Sequence, residues 1–137
     1  MYFNMTTVFV NGTFDLLHRA HLEMLNYAKS FGDYLIVAID TDARVKEKKG
    51  QTRPIYNQDD RAFFLKNLKS VDQVETFSSD QELENLVERF SPDVMMVGSD
   101  WKGKTIIGSQ HAKQLIFFDR IENYATTNTI KRIVDRG

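Results

Sequence analysis

His18 and His21 stand three residues apart, shortly after Gly12, in the run Asn-Gly-Thr-Phe-Asp-Leu-Leu-His-Arg-Ala-His that spans residues 11–21. Imidazoles at this spacing share one face of a helix. A helix beginning there adds free N–H groups and the positive end of its dipole. The glycine in front lets backbone approach a phosphate closely. Such a set suits transfer at a phosphoryl group, which needs positioning and stabilisation of spreading negative charge. The plain alternatives are two surface histidines or half of a zinc site. Zinc asks for three or four ligands, and the one other histidine is His111, outside any motif. Thr-Phe-Asp directly after Gly12 favours the phosphate reading.

The elements that must position these residues alternate along the chain. Residues 8–10 form a short apolar strand ending at Gly12. From Arg19, Leu22, Leu25 and Ala28 recur every three residues, which predicts a helix, with Gly32 as its C-terminal cap. Residues 34–39 are a continuous apolar run, as in a strand buried on both faces. A polar, basic loop is expected over residues 40–56. Asn57 is a candidate N-cap for a helix reaching Leu68. A strand over 71–77, a helix opened by the Ser79/Glu82 capping-box pair, and strands over 93–97 and 114–118 follow. Thr126 or Thr127 caps a last helix. This alternation implies an α/β fold: a doubly wound, Rossmann-like parallel sheet with helices on both faces. Ligands of such folds bind beyond the carboxyl ends of the strands. The turns at residues 12–21, 98–101 and 123–128, and the loop after Asp40, should therefore converge on one edge.

Three of these stretches offer further candidates. Residues 44–53 carry five basic residues and one acid. A charged loop is commonly just solvated, and Lys48 keeps that reading; Lys46 is left open on position alone. Asp100 and Trp101 follow a strand and Gly98, so they form either a base-binding turn or a turn with a core aromatic. Thr126 and Thr127 could cap the helix or bind phosphate, and both uses draw on the same N–H groups. Arg61 either faces phosphate or pairs with Asp59 or Asp60 on a helix surface.

The first motif resembles that of the cytidylyltransferase-like nucleotidyltransferases, and the resemblance runs along almost the whole chain. Lys46, Lys49-Gly50 and Thr52-Arg53-Pro54-Ile55 are similar to the loop of bacterial enzymes that form ADP-heptose from heptose 1-phosphate and ATP. Residues 58–61, Pro92-Asp93-Val94, Gly98-Ser99-Asp100-Trp101, Gly108-Ser109 and residues 126–130 follow in that family's order. Glycerol-3-phosphate cytidylyltransferases share the first motif, the Asp-Trp pair and the Thr-Thr turn. The resemblance implies adenylyl transfer to a heptose-type sugar 1-phosphate with release of pyrophosphate, or cytidylyl transfer to glycerol 3-phosphate or a related polyol phosphate. It implies His18, His21 and Lys46 as catalytic residues. Gly12, Thr13, Phe14, Gly98, Asp100, Trp101, Thr126 and Thr127 would bind the nucleotide, ATP or CTP. Asp15 and Arg61 would bind the acceptor. Mg2+, held mainly through the nucleotide phosphates, and a homodimer are further implications. Ala20, Asn123 and Ala125 depart from the family's usual glycine, glycine and serine, which keeps open a nucleotide-binding module that has lost catalysis.

Composition bounds these readings. At 137 residues with 42% apolar content, residues 1–137 form one domain. A net charge of −1 argues against nucleic acid as a partner. The absence of cysteine excludes disulfides and thiolate metal sites, and no side-chain set reads as a metal cage. No apolar run is long enough for a membrane span, and the first residues lack a signal-peptide pattern. A cytoplasmic location is expected.

Overall fold

The computed structural model describes residues 5–119 and 126–136, the first three of the latter stretch by backbone alone. Five strands form one parallel sheet: β1 (Thr7–Gly12), β2 (Tyr34–Asp40), β3 (Gln73–Phe77), β4 (Val94–Gly98) and β5 (Gln114–Phe118), in the spatial order β3-β2-β1-β4-β5. The order reverses direction between β1 and β4, so the carboxyl ends of these two strands flank the switch point. That is where ligands enter folds of this kind. Gly12 ends one strand and Gly98 the other.

Period-two alternation divides the sheet's side chains between two cores. Val8, Val10, Leu35, Val37, Ile39 and Met96 face α1 (Arg19–Lys29) and α3 (Gln58–Lys66), meeting Leu25, Ala28 and Leu65. Phe9, Ile36, Ala38, Met95 and Phe77 face α4 (Asp80–Phe90), meeting Leu83, Leu86 and Val87. Both faces are therefore covered, which is why β2 reads as an uninterrupted apolar run.

The expected helices after Gly12, Asn57 and Ser79 are present. Asn57 accepts the Asp60 N–H at 2.8 Å and Ser79 accepts the Glu82 N–H at 3.1 Å. Two expectations need correction. The supposed loop after Asp40 opens with a helix, α2 (Asp42–Lys49), capped by Thr41. It buries only Arg44 and Val45, so no apolar period marks it in the sequence. Gly32 is not the helix cap: α1 ends at Lys29, with Ser30 as its C-cap. Its lack of a side chain serves packing instead, since a Cβ at residue 32 would stand 2.5 Å from the Thr6 carbonyl oxygen. The last helix, α5, spans Thr126–Arg136. Its expected cap, and the positions 123 and 125, lie outside what the structure describes in full. None of the described helices is long and apolar enough to cross a membrane.

Candidate active site

The turn after β1 is built around unfavourable backbone. Phe14 and Leu16 have φ of 53° and 55°, in the left-handed region that costs ordinary residues about 1–3 kcal/mol. Several contacts hold them there. The Phe14 ring is buried and lies over Gly12, where a Cβ would come within 3.0 Å of it. Asp15 is buried and accepts the backbone N–H of Leu16 at 3.1 Å, Ile55 at 2.6 Å and Tyr56 at 2.9 Å. Arg61 donates to the Thr13 carbonyl at 2.9 Å.

Asp15 and Arg61 were expected to meet the acceptor. In this structure their charged ends bind the chain itself. Arg61 is fully buried, and its guanidinium donates to the carbonyls of Tyr56, Thr13 and Asp40 and to the Asp42 carboxylate. It does not pair with Asp59 or Asp60, the other expectation. One signal in the sequence was available: residues 61, 65 and 68 share a helix face, and Leu65 and Leu68 on it are apolar.

His18 is the N-cap residue of α1 and His21 occupies the third helical position. His21 Nδ1 accepts the His18 backbone N–H at 3.2 Å. The two rings stack at 3.8 Å, and the Phe14 ring packs against His21 at 5.3 Å. Burial lowers the pKa of His21 to about 4, and repulsion from His18 and Lys49 adds to the effect. The ring is thus neutral at pH 7. With Nδ1 engaged as an acceptor, Nε2 carries the proton and is the donor.

The basic segment is arranged differently from expectation. Lys46 Nζ donates to the Arg53 carbonyl at 3.1 Å, which ties α2 to the following loop. Lys48 is exposed, as expected, and with Lys49 it borders an open cleft. Lys48 lies one turn beyond Arg44, which lines it too. Partial burial lowers the Lys49 pKa; Asp40 and Asp15 oppose this, while Arg53 and Arg61 reinforce it.

The cleft, about 330 Å3, opens at the carboxyl edge of the sheet. Its apolar walls come from Phe77, Leu83, Val97, Ile106 and Ile107, on the α4 side. Gly12, Thr13, Gly98 and Trp101 line it as well. Trp101 is 49% exposed, so it is no core aromatic. Asp100 folds its carboxylate over Gly98, where a Cβ would lie 2.6 Å from Oδ1. The histidine pair belongs to α1, on the opposite face of the sheet. Cleft and histidines meet at the Gly12–Thr13 turn, and Lys49 lines the cleft. Thr126 and Thr127 begin α5, with side chains outside the described part. His111 lies away from the cleft, 3.9 Å from Glu88. Among the described residues, no three His, Cys, Asp or Glu side chains converge to hold a metal.

Comparison with known proteins agrees with this geometry. Two curated proteins, each named bifunctional protein HldE, are similar over nearly the whole chain. That of Campylobacter concisus is 46% identical over 128 residues, covering 93% of this chain and 27% of the relative. That of Aliarcobacter butzleri is 44% identical over 126 residues, covering 92% and 26%. The chain thus spans about a quarter of the length of these relatives. A crystal structure described as the lipopolysaccharide core biosynthesis protein from Thermoplasma volcanium shares the fold, with a TM-score of 0.70 at 24% identity, over 86% of this chain and 100% of that one. The cytidylyltransferase-like family model matches residues 9–130. With a match over most of its length, and with the strand, turn and histidine pair arranged as described, the chain belongs to the cytidylyltransferase-like family.

Proposed function

We propose that the chain is a nucleotidyltransferase that moves an adenylyl group from ATP to a heptose-type sugar 1-phosphate. An oxygen of the acceptor phosphate forms the new bond to the α-phosphorus. The bond from that phosphorus to the β-phosphate oxygen breaks, and pyrophosphate leaves with the electron pair. A phosphate monoester is already largely ionised near neutrality, so the attack needs no strong general base.

The observation that carries this reading is the state of His21. A neutral imidazole with Nε2–H as donor, at a helix N-terminus, offers a hydrogen bond and positive potential where charge builds on the α-phosphate. His18, stacked on it, presents a second ring at the same place. The cleft on the other side of the Gly12–Thr13 turn would hold the nucleotide along Gly12, Thr13, Gly98 and Trp101 and the acceptor along α2, with its phosphate toward Lys49. In-line attack suits this layout, because attacking and leaving groups approach one phosphorus from opposite sides.

Magnesium fits the donor set as an ion held mainly by phosphate oxygens and water, because it needs few protein ligands. Asp40 is the carboxylate lining the cleft, and its Oδ2 already accepts from Arg44. When bound, the ion neutralises charge on the triphosphate. The choice of ATP and a heptose phosphate rests on the resemblance at residues 52–55 and 108–109 and on the HldE relatives. A cytoplasmic site of action and a homodimer belong to the same reading.

The test is a matrix of nucleoside triphosphates against sugar and polyol phosphates, read by pyrophosphate release. ATP with a heptose 1-phosphate should give the fastest release. Binding of nucleotide with no release in any pair would sink the enzyme reading, and faster release from CTP with glycerol 3-phosphate would overturn the substrate assignment.

A further inference from the structure

The two ends of the cleft differ in chemistry. One end approaches the histidine pair, with Lys49 close enough to repel a proton from His21. The other end is organised around Arg44. Its side chain is nine-tenths buried. Nε donates to Asp40 Oδ2 at 3.1 Å and Nη2 to Asp80 Oδ1 at 2.5 Å. The guanidinium carbon stands 5.3 Å from the centre of the Phe77 ring. Arg44 is therefore fixed by two carboxylates and an aromatic face, yet it lines open space. Among the described residues Nη1 makes no hydrogen bond, and neither Asp40 Oδ1 nor Asp80 Oδ2 accepts one.

The charge balance decides what this end can take. Lys48 is near enough to stabilise the Asp80 carboxylate. Arg44 itself lies between two carboxylates, Asp40 and Asp80, which offset its charge. A phosphate would have to displace Asp80 or Asp40 from Arg44. A hydroxyl group need not, because it can accept from Nη1 and donate to a carboxylate oxygen at once. Rigid planar donors flanked by acceptors, above an apolar floor of Phe77 and Leu83, fit a neutral polyol chain with alternating C–H and O–H surface.

We propose that Arg44, held by Asp40 and Asp80, reads the hydroxyls of the acceptor's sugar portion and determines specificity among phosphorylated polyols. The proposal rests on the nucleotidyl-transfer reading, and it adds which residues select the acceptor. Hydrogen bonds that position a hydroxyl reject analogues lacking it, since the buried donor is then left unpaired.

Asp80→Asn is the primary test, because Asp80 is largely exposed and its loss leaves the core intact. Arg44→Gln is the second variant, with thermal unfolding measured alongside. Pyrophosphate release is followed with a heptose 1-phosphate and with its analogue lacking one side-chain hydroxyl. Asp80→Asn should raise KM for the full sugar phosphate about tenfold, the scale of one hydrogen bond, and leave KM for the nucleoside triphosphate in place. The preference for the full sugar over the deoxy analogue should shrink in parallel. An unchanged acceptor KM, or an equal rise for both substrates, would overturn the proposal. If the wild-type protein releases no pyrophosphate, the transfer reading itself fails, and direct calorimetric titration with the sugar phosphate then decides. Tenfold weaker binding by Asp80→Asn supports the hydroxyl-reading role. Equal affinity, or no binding by the wild type, refutes it.

Discussion

The backbone N–H of His18 donates to Nδ1 of His21 at 3.2 Å, closing the first turn of α1 on itself. The position is one where glutamate or glutamine commonly reaches back to an N-cap. Here an imidazole does so, and the bond leaves Nε2 as the ring's N–H donor. One contact therefore caps the helix and sets the tautomer for binding phosphate.

His21→Gln separates these two duties. Glutamine can still accept the His18 N–H, so the fold should persist, with thermal unfolding near that of the wild type. The donor aimed at the transferring phosphate is lost or misplaced. Turnover should drop about 100-fold or more, as when a single transition-state donor is removed. Steady-state pyrophosphate release checks this, and an undiminished kcat would remove His21 from the catalytic set.

The same ring predicts a pH dependence of stability. Its pKa is about 4 in the folded protein and about 6.5 in an unfolded chain. Between these values the unfolded state binds the extra proton, so acid favours unfolding. The contribution is complete above pH 6.5 and fades as pH falls toward 4. At most it amounts to about 3 kcal/mol. Denaturant midpoints measured from pH 7.5 to 4.5 should decline for the wild type and decline less for His21→Gln. Parallel curves would show that another group is responsible.

How much of this was legible depends on how each residue announces itself. Buried parallel strands appear as apolar runs, and β5 falls on the expected residues 114–118. Helix starts show through Asn57 and Ser79, because capping restricts residue type. α2 stayed hidden, since a helix pinned by a buried arginine and one valine has no apolar stripe. The glycine and histidines of the first motif were readable because few residues can replace them. Segment 52–55 and Gly108 were also distinctive, for a different physical reason. The backbone of Ile55 is held by Asp15, and a Cβ at 108 would strike Val87 at 2.7 Å. They mark the family through how the chain packs, and sequence alone cannot separate such residues from ones that touch a ligand.

The lysines provide a direct comparison of a cleft-lining and a tethering position. Lys49 lines the cleft, whereas Lys46 binds the Arg53 carbonyl. Lys49→Ala should weaken binding of pyrophosphate at least tenfold, with a smaller loss at high salt in keeping with an electrostatic origin. Lys46→Ala should lower thermal stability slightly and affect binding less. Calorimetry on both variants tests the ranking, and a larger binding loss for Lys46→Ala would reverse the assignment.

Arg61 sets the limit on how far the site can be altered. It joins the carbonyls ending β1 and β2, through Thr13 and Asp40, to the Tyr56 loop and to Asp42 at the start of α2. Removing the guanidinium leaves three carbonyls and a carboxylate short of a donor. Breaking one partner of a buried ion pair costs about 3–5 kcal/mol. Arg61→Met should therefore destabilise by at least that scale, measured by urea unfolding. Arg61→Lys, which keeps the charge but cannot span four acceptors in one plane, should recover only part of it. Asp15→Asn provides the complementary case, because an amide in place of the carboxylate would direct N–H groups against those of Ile55 or Tyr56. A site-facing Arg61 would instead show normal stability with a raised KM for the acceptor. The two outcomes differ in the first measurement made.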